Sequence, residues 1–266
     1  MLAGEPGREV VPPDIVVEIT DGRPLRAVWE NEVGGLTFEI GGEPDRLFIK
    51  WVPSSRAWQL HVEAIRLRWA SRHTAVPEIV DVGSDDHGAW LLSRALPGDN
   101  AVAPRWAAQP AIAVRAIGAG LRALHDALPV TDCPFSWSAS DRIEIAQQRA
   151  RANEIDPARW HPVHQHLSVD AALADVADPP PSDRLVVCHG DACAPNTLIG
   201  PDGHCTGHVD LGALGVADPW ADLAVATWST EWNYGPGWEH HLLEAYGIEP
   251  DDERTRYYRL LWDLGP

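Results

Sequence analysis

Apolar and polar residues alternate from residue 24 to residue 52, and the alternation is broken by Gly34-Gly35 and Gly41-Gly42. A period of two with glycine pairs at the breaks predicts three strands, near residues 25–30, 36–40 and 47–52, joined by tight turns. After Pro53-Ser54-Ser55 the period lengthens. Trp58, Val62, Ile65 and Trp69 recur at intervals of four, three and four, which predicts an amphipathic helix with that stripe buried and Glu63 near its edge. Two further extended runs, 78–82 and 89–93, flank an SDDHG turn and read as a hairpin that completes a five-stranded antiparallel sheet.

Leu96-Pro97-Gly98 ends this pattern, and beyond it the chain reads as mainly helical. Ile117, Leu121, Leu124 and Leu128 mark one helix, residues 169–176 a shorter one, and GIEPDDERTRYYRLLWDL a last one. ADPPPSD is a proline-rich loop that leads into LVVCHG, a short buried strand. The expectation is an α+β chain with two domains: residues 1–97, the five-stranded sheet with one helix, and residues 98–266, mainly helical.

Composition narrows the function classes. With 266 residues and 45% hydrophobic content the chain can bury a sizeable core. A net charge of -18, from 39 acidic and 21 basic side chains, argues against nucleic-acid and anionic-membrane partners and favours a cationic ligand. The start lacks a signal-like basic and apolar pair of regions, and no long uncharged apolar run occurs, so the expected location is cytoplasmic. In that compartment Cys133, Cys188, Cys193 and Cys205 are expected as reduced thiols. Lys50 is the only lysine in the chain. An ammonium is a compact point charge with three donors, so a lone lysine among arginines points to a site where a planar guanidinium does not serve.

The stretch VCHGDACAPN admits two chemistries. Cys188, Cys193, Cys205 and His208 give a loose C-x4-C-x11-C-x2-H pattern, the residue types of a zinc site, but Cys188 ends an apolar run and Cys193 sits between alanines, as small buried hydrophobes do. Phosphoryl transfer needs a carboxylate to orient and deprotonate the attacking hydroxyl, and two oxygen-bearing side chains for the magnesium ions that bridge the phosphates. Asp191 precedes Asn196 by five residues, and Asp210 opens Asp210-Leu211-Gly212 14 residues after Asn196, which is the kinase spacing. Upstream, Lys50 closes the strand RLFIK and Glu63 follows on the next helix, as the phosphate-aligning lysine and glutamate do in kinases. Gly34, Gly35 and Thr37 form a turn whose backbone N–H groups can face phosphates, and Ser93, Arg94 and Ala95 lie where backbone groups would meet an adenine edge.

On these residues the sequence resembles the aminoglycoside phosphotransferase family, small-molecule kinases with a two-lobed protein-kinase-like fold. The resemblance runs from NEVGGLTF and LFIKW through LRALHDALPVTDCPF, VVCHGDACAPNTLI and HVDLGALGVADPWADLA to YYRLLWDL. TDCPF, VVCHGDACAPN, CTGHVDLG and GIEPDDER are most similar to the streptomycin 3''-phosphotransferases. It implies ATP and Mg2+ as cofactors, Asp191 as catalytic base, Asn196 and Asp210 as metal ligands, Lys50 and Glu63 as the phosphate-binding pair, and Glu231, Asn233 and Asp263 as substrate contacts. It further implies a monomer acting on a cationic small molecule. Kanamycin-type 3'-enzymes carry charged residues where this chain has Trp228, Ser229 and Trp262, which favours a guanidinium-bearing antibiotic such as streptomycin, and Trp228, Trp232 and Trp262 are candidates to stack on its guanidinium groups. The alternatives are a kinase of another aminoglycoside, a kinase of a small cationic or polyol metabolite, and a nucleotide-binding protein without turnover. His161, His164 and His166 show no carboxylate partner in the sequence, and Asp218 and Asp222 read as helix caps or braces.

Overall fold

The structure is a computed structural model that describes residue 4, residues 6–31 and residues 34–265. Glu32 and Val33, in the glycine turn singled out above, lie outside the described residues. The chain divides into two compact units, Met1–Pro97 and Gly98–Pro266.

The first unit is an antiparallel sheet of β1 (Leu25–Glu30), β2 (Leu36–Ile40), β3 (Leu47–Pro53), β4 (Ile79–Ser84) and β5 (Gly88–Arg94), in the order β1-β2-β3-β5-β4. Alternation gives the sheet two different faces. Phe38, Ile40, Leu47, Ile49 and Leu92 share one face and pack with Val16 of helix α1 (Asp14–Thr20), all of them buried. Lys50, directly paired with Thr37 on β2 and with Leu91 on β5, belongs to the other face. Helix α1 carries no signal that the alternation pattern registers, because it offers only one full turn of apolar residues.

Helix α2 (Ala57–Ala70) forms as expected but turns a different face inward. Leu60, Glu63, Ala64, Leu67, Trp69 and Ala70 are buried, so of the expected stripe Trp69 is buried and Val62 half-buried, whereas Trp58 is 63% and Ile65 54% exposed. The inward face is rotated from the expected stripe, which it shares at Trp69. The inward face is the one that brings the Glu63 carboxylate to Lys50, with small Ala64 and Ala70 allowing close approach to the sheet.

The second unit opens with β6 (Asp99–Asn100), α3 (Pro104–Ala107) and the long helix α4 (Pro110–Ala127). Ala113, Val114, Ile117, Leu121 and Leu124 form the buried face of α4. Helix α8 (Glu239–Tyr246) crosses α4 at Gly118, where a Cβ would lie 2.4 Å from the Leu242 carbonyl oxygen, so only glycine permits that approach. Helices α5 (Ala139–Arg151) and α6 (Val169–Asp175) precede β7 (Val186–Cys188), which pairs with β10 (Gly215–Ala217). Strands β8 (Thr197–Ile199) and β9 (Cys205–His208) form a hairpin that β6 extends. Helix α7 (Trp220–Tyr234), buried from Trp220 to Thr230, and helix α9 (Asp252–Asp263) complete the unit. Among the described residues no helix is long and apolar enough to cross a membrane.

Candidate active site

Strand β7 is fully buried and delivers the chain to His189, Gly190 and Asp191. Gly190 makes the turn at φ +84°, and a Cβ there would stand 2.3 Å from the Ala213 carbonyl oxygen, so the position demands glycine on both counts. His189 is enclosed; its Nε2 donates to the Val209 carbonyl at 2.9 Å and its Nδ1 accepts from the Asp191 N–H at 3.2 Å. One imidazole thus spans the loop from the end of β9 to the amide of Asp191.

The next three residues after Cys193 form a single 3-10 turn, Ala194–Asn196. Asn196 Nδ2 donates to the Asp191 main-chain oxygen at 2.9 Å, which leaves its Oδ1 as the outward acceptor. The Asn196 carbonyl accepts from Val209 N–H at 3.0 Å, so the β8–β9 hairpin sets Asp210 beside Asn196. Asp210 is exposed and adopts a left-handed backbone, φ +65°, which aspartate tolerates better than most residues. The spacing read from the sequence therefore closes in space: Asp191, Asn196 and Asp210 meet at one loop and one hairpin.

Asp191 Oδ1 is enclosed without a hydrogen-bond partner. Burial pushes this carboxyl above the ordinary aspartate range and repulsion from Asp210 adds to it, against hydrogen bonds from Cys193 and Asn196 that oppose the shift. A carboxylate with a raised proton affinity and an unclaimed oxygen suits a proton acceptor. The Asp210 carboxylate and the Asn196 carboxamide oxygen, free of its Nδ2 bond, are hard donors of the kind magnesium takes.

In the first unit Lys50 Nζ donates to Glu63 Oε1 at 2.6 Å, with Lys50 23% and Glu63 6% exposed at the side chain. The cross-strand pairing sets Thr37 next to Lys50 on the same face. Gly35 is buried and its N–H donates to Asn31 Oδ1 at 2.6 Å; Gly34 lies at φ +83°. Ser93 is buried in the sheet between Phe48 and Ile79, and the Ala95 N–H donates to the Arg46 carbonyl at 3.0 Å, so only the carbonyl of Ala95 is left to face a ligand.

The substrate candidates are distributed over two helix ends. Glu231 is exposed and lines a groove of about 370 Å³ with His161, Trp228, Thr255 and Arg259. Asn233 donates through Nδ2 to Ser229. Asp263 is turned inward: it binds His164 Nδ1 at 2.6 Å and the His161 N–H, and its side chain is 9% exposed. The histidine segment read as lacking a carboxylate thus has one, 99 residues away in the chain. Trp228 is also committed, 2% exposed, with the His161 ring at 4.4 Å and the Arg259 guanidinium at 5.0 Å from its centroid. Its faces are occupied from within the chain, which removes it as a stacking surface, whereas Trp232 is 45% exposed.

A residue expected only as a cap or brace takes two N–H groups of the loop that carries Asp191. Asp222, wholly buried on α7, accepts from His189 N–H at 2.6 Å, Gly190 N–H at 2.9 Å and His125 Nε2 at 2.9 Å. Burial works to raise its pKa, but the His125 hydrogen bond and charge, with the loop N–H groups, win and hold it below the ordinary value. Tyr246 holds the other His125 nitrogen at 2.8 Å. Among the described residues, His125, Cys188 and Asp222 are the one group of metal-type ligands close enough to share an ion. Their atoms are already spent, since Cys188 Sγ donates to the Asp218 carbonyl and burial pushes its thiol well above the usual range. The zinc pattern of the sequence does not assemble: Cys205 pairs with His208 at 3.7 Å, and Cys188 faces away toward Asp218.

A family model described as "Phosphotransferase enzyme family" matches residues 22–258. Aminoglycoside 3'-phosphotransferase of Streptomyces fradiae is 37% identical over 252 residues, covering 88% of this chain and 92% of that protein. Streptomycin 3''-kinase of Streptomyces griseus is 32% identical over 274 residues, covering 97% of each. Among solved structures, aminoglycoside phosphotransferase APH(3'')-Id from Streptomyces rimosus superposes with a TM-score of 0.77 at 27% identity, covering 95% of this chain and 99% of that one. The same protein has been solved in complex with ADP and streptomycin. With the family model spanning nearly the whole length, and the Asp191, Asn196 and Asp210 cluster in place, this chain belongs to the phosphotransferase enzyme family.

Proposed function

We propose that the chain transfers the γ-phosphate of ATP to a hydroxyl of an aminoglycoside, and that the acceptor is the 3''-hydroxyl of streptomycin. The convergence of Asp191, Asn196 and Asp210 carries the phosphotransferase part. Asp191 orients the acceptor hydroxyl and takes its proton through the enclosed Oδ1. Asn196 Oδ1 and Asp210 would hold Mg2+, which would supply neutralisation of charge developing on the phosphates. Lys50, fixed by Glu63, aligns the α- and β-phosphates, with Gly34, Gly35 and Thr37 beside them and the Ser93 to Ala95 segment at the adenine. Residues 1–97 are thus the nucleotide-binding lobe and residues 98–266 the catalytic and substrate lobe. Glu231 and Asn233 contact the antibiotic, and the -18 net charge draws a polycation to the enzyme.

Streptomycin is favoured by the uncharged Trp228, Ser229 and Trp262, and by a streptomycin kinase relative that aligns end to end. The 3'-hydroxyl of a deoxystreptamine antibiotic is the second reading, favoured by the higher identity of the Streptomyces fradiae enzyme. Purified protein with ATP, Mg2+ and a panel of streptomycin, kanamycin and choline separates them. The expected product is streptomycin phosphorylated at 3'', identified by mass spectrometry and NMR; transfer to kanamycin at 3' with streptomycin untouched overturns the proposal.

Lys50→Arg tests the nucleotide half. A guanidinium is longer and planar and cannot occupy the same point charge position 2.6 Å from Glu63, so kcat is expected to fall on the order of 10²-fold, the cost of a misplacement of about 1 Å. Steady-state kinetics with ATP varied reads this directly, and wild-type kcat and KM in the variant would detach Lys50 from catalysis.

A further inference from the structure

Two side chains on one face of α7 grip the loop on either side of Asp191. Asp222 takes the N–H groups of His189 and Gly190, before it, and Ser229 Oγ takes the N–H of Ala194, after it, at 2.8 Å. They stand seven residues apart, about two helical turns or ~10 Å along the axis, so a single rigid helix spaces both grips. The Ser229 grip meets a specific need. The 3-10 turn Ala194–Asn196 starts at Cys193, whose side chain makes no capping bond, and its second residue, Pro195, has no N–H. The Ala194 N–H is the donor that the turn leaves over, and Ser229, 0% exposed, caps it from another element. That turn carries Asn196, whose Nδ2 in turn holds the Asp191 carbonyl.

Ser229 is itself held from outside. Asn233, one turn further along α7 and exposed, donates through Nδ2 to Ser229 Oγ at 3.2 Å and to the Ser229 carbonyl at 2.7 Å. Its Oδ1 accepts nothing from any described residue. Asn233 therefore has a donor committed to the loop cap and an acceptor open to a ligand donor.

We propose that Ser229 and Asn233 are positioning residues that link antibiotic binding to the catalytic loop. An ammonium, guanidinium or hydroxyl donor of the antibiotic binds Asn233 Oδ1, which orders the amide; the ordered Nδ2 fixes Ser229 Oγ; and Ser229 holds the Ala194 turn, and with it Asp191 and Asn196, in the transferring arrangement. The inference rests on Asp191 being the proton acceptor and on an aminoglycoside being the substrate.

The test compares Ser229→Ala, Asn233→Asp, Asn233→Ala, the Ser229→Ala/Asn233→Ala double variant and Asp191→Asn, with kcat expressed per ATP-binding site titrated in each preparation. Ser229→Ala is expected to lower kcat by about 10- to 100-fold, as a displaced reacting group does, with KM for ATP unchanged. Asn233→Asp loses the donor and adds a negative charge that attracts a cationic antibiotic, so KM for the antibiotic is expected to hold or fall while kcat falls. In the double variant kcat should drop no further than in Ser229→Ala alone, because residues acting through one link are non-additive. Wild-type kcat per site in Ser229→Ala, full kcat in Asn233→Asp, or multiplying effects in the double variant each overturn the proposal. Should Ser229→Ala fail to fold, the exposed Asn233→Asp split still decides it. If Asp191→Asn retains transfer, the assignment of the base fails instead, and that outcome is separate from failure of the link.

Discussion

Asp191→Asn is expected to lower turnover by about 10²- to 10⁴-fold, the range contributed by a positioned proton acceptor. The substitution is nearly isosteric, and the Asn196 Nδ2 bond to the Asp191 main-chain oxygen is left in place by it. What is lost is the acceptor itself. The loss is informative because the wild-type carboxyl is displaced upward in pKa, first by burial and then by Asp210. The base works only when ionised, so kcat/KM in the wild type is expected to fall as pH drops through that raised value, and the acid limb should lie above the ordinary aspartate value of 3.8. Steady-state rates across pH with the aminoglycoside that the wild type phosphorylates measure both effects. A variant as fast as the parent, or an acid limb at or below the ordinary value, would contradict the role.

Asp222→Ala is expected to be the most destructive single change outside the chemistry. It strips three buried donors of their acceptor at once: His125 Nε2, His189 N–H and Gly190 N–H. Each buried donor left without an acceptor costs about 1–3 kcal/mol, and three stripped together amount to a large part of the stability of a typical domain. Urea unfolding should show the loss, and activity should vanish with it because the released N–H groups flank Asp191. The pH dependence has a definite sign. Asp222 is held below its ordinary value, so its contribution to stability is full above 3.8 and is lost as pH falls through the lower, folded-state value. Asp222→Asn should therefore flatten that portion of the acid unfolding curve; an unchanged acid limb would show that Asp222 is not held as described.

What was legible in the sequence had local signals. The strands of the first unit follow from alternation, and Asp191, Asn196 and Asp210 follow from spacing, because a short loop and a hairpin are built within twenty residues. What was illegible depends on distant partners or on patterns that compete. Asp222 looks like any acid near a helix start until the loop 32 residues before it is placed on its oxygens. The inward face of α2 buries Leu60, Leu67 and Trp69 together with the ion-paired Glu63, and leaves Trp58 and Ile65 outside, a rotation that bulk alone does not reveal. Helix α5 was missed because only Arg142 and Ala146 are buried along it, which leaves no apolar period to read. Trp228 looked available because sequence shows an indole and not the Arg259 and His161 that cover it.

The solitary lysine on β3 also gives the molecule an unusual chemical selectivity. Apart from the chain's own amino terminus, Lys50 is the one primary amine, so an acylating reagent has a single internal address, and that address sits beside Glu63 on the sheet face proposed for phosphates. Peptide mass mapping after brief acylation, with and without nucleotide, would read occupancy of that position separately from the amino terminus, without any labelled substrate and without engineering the chain.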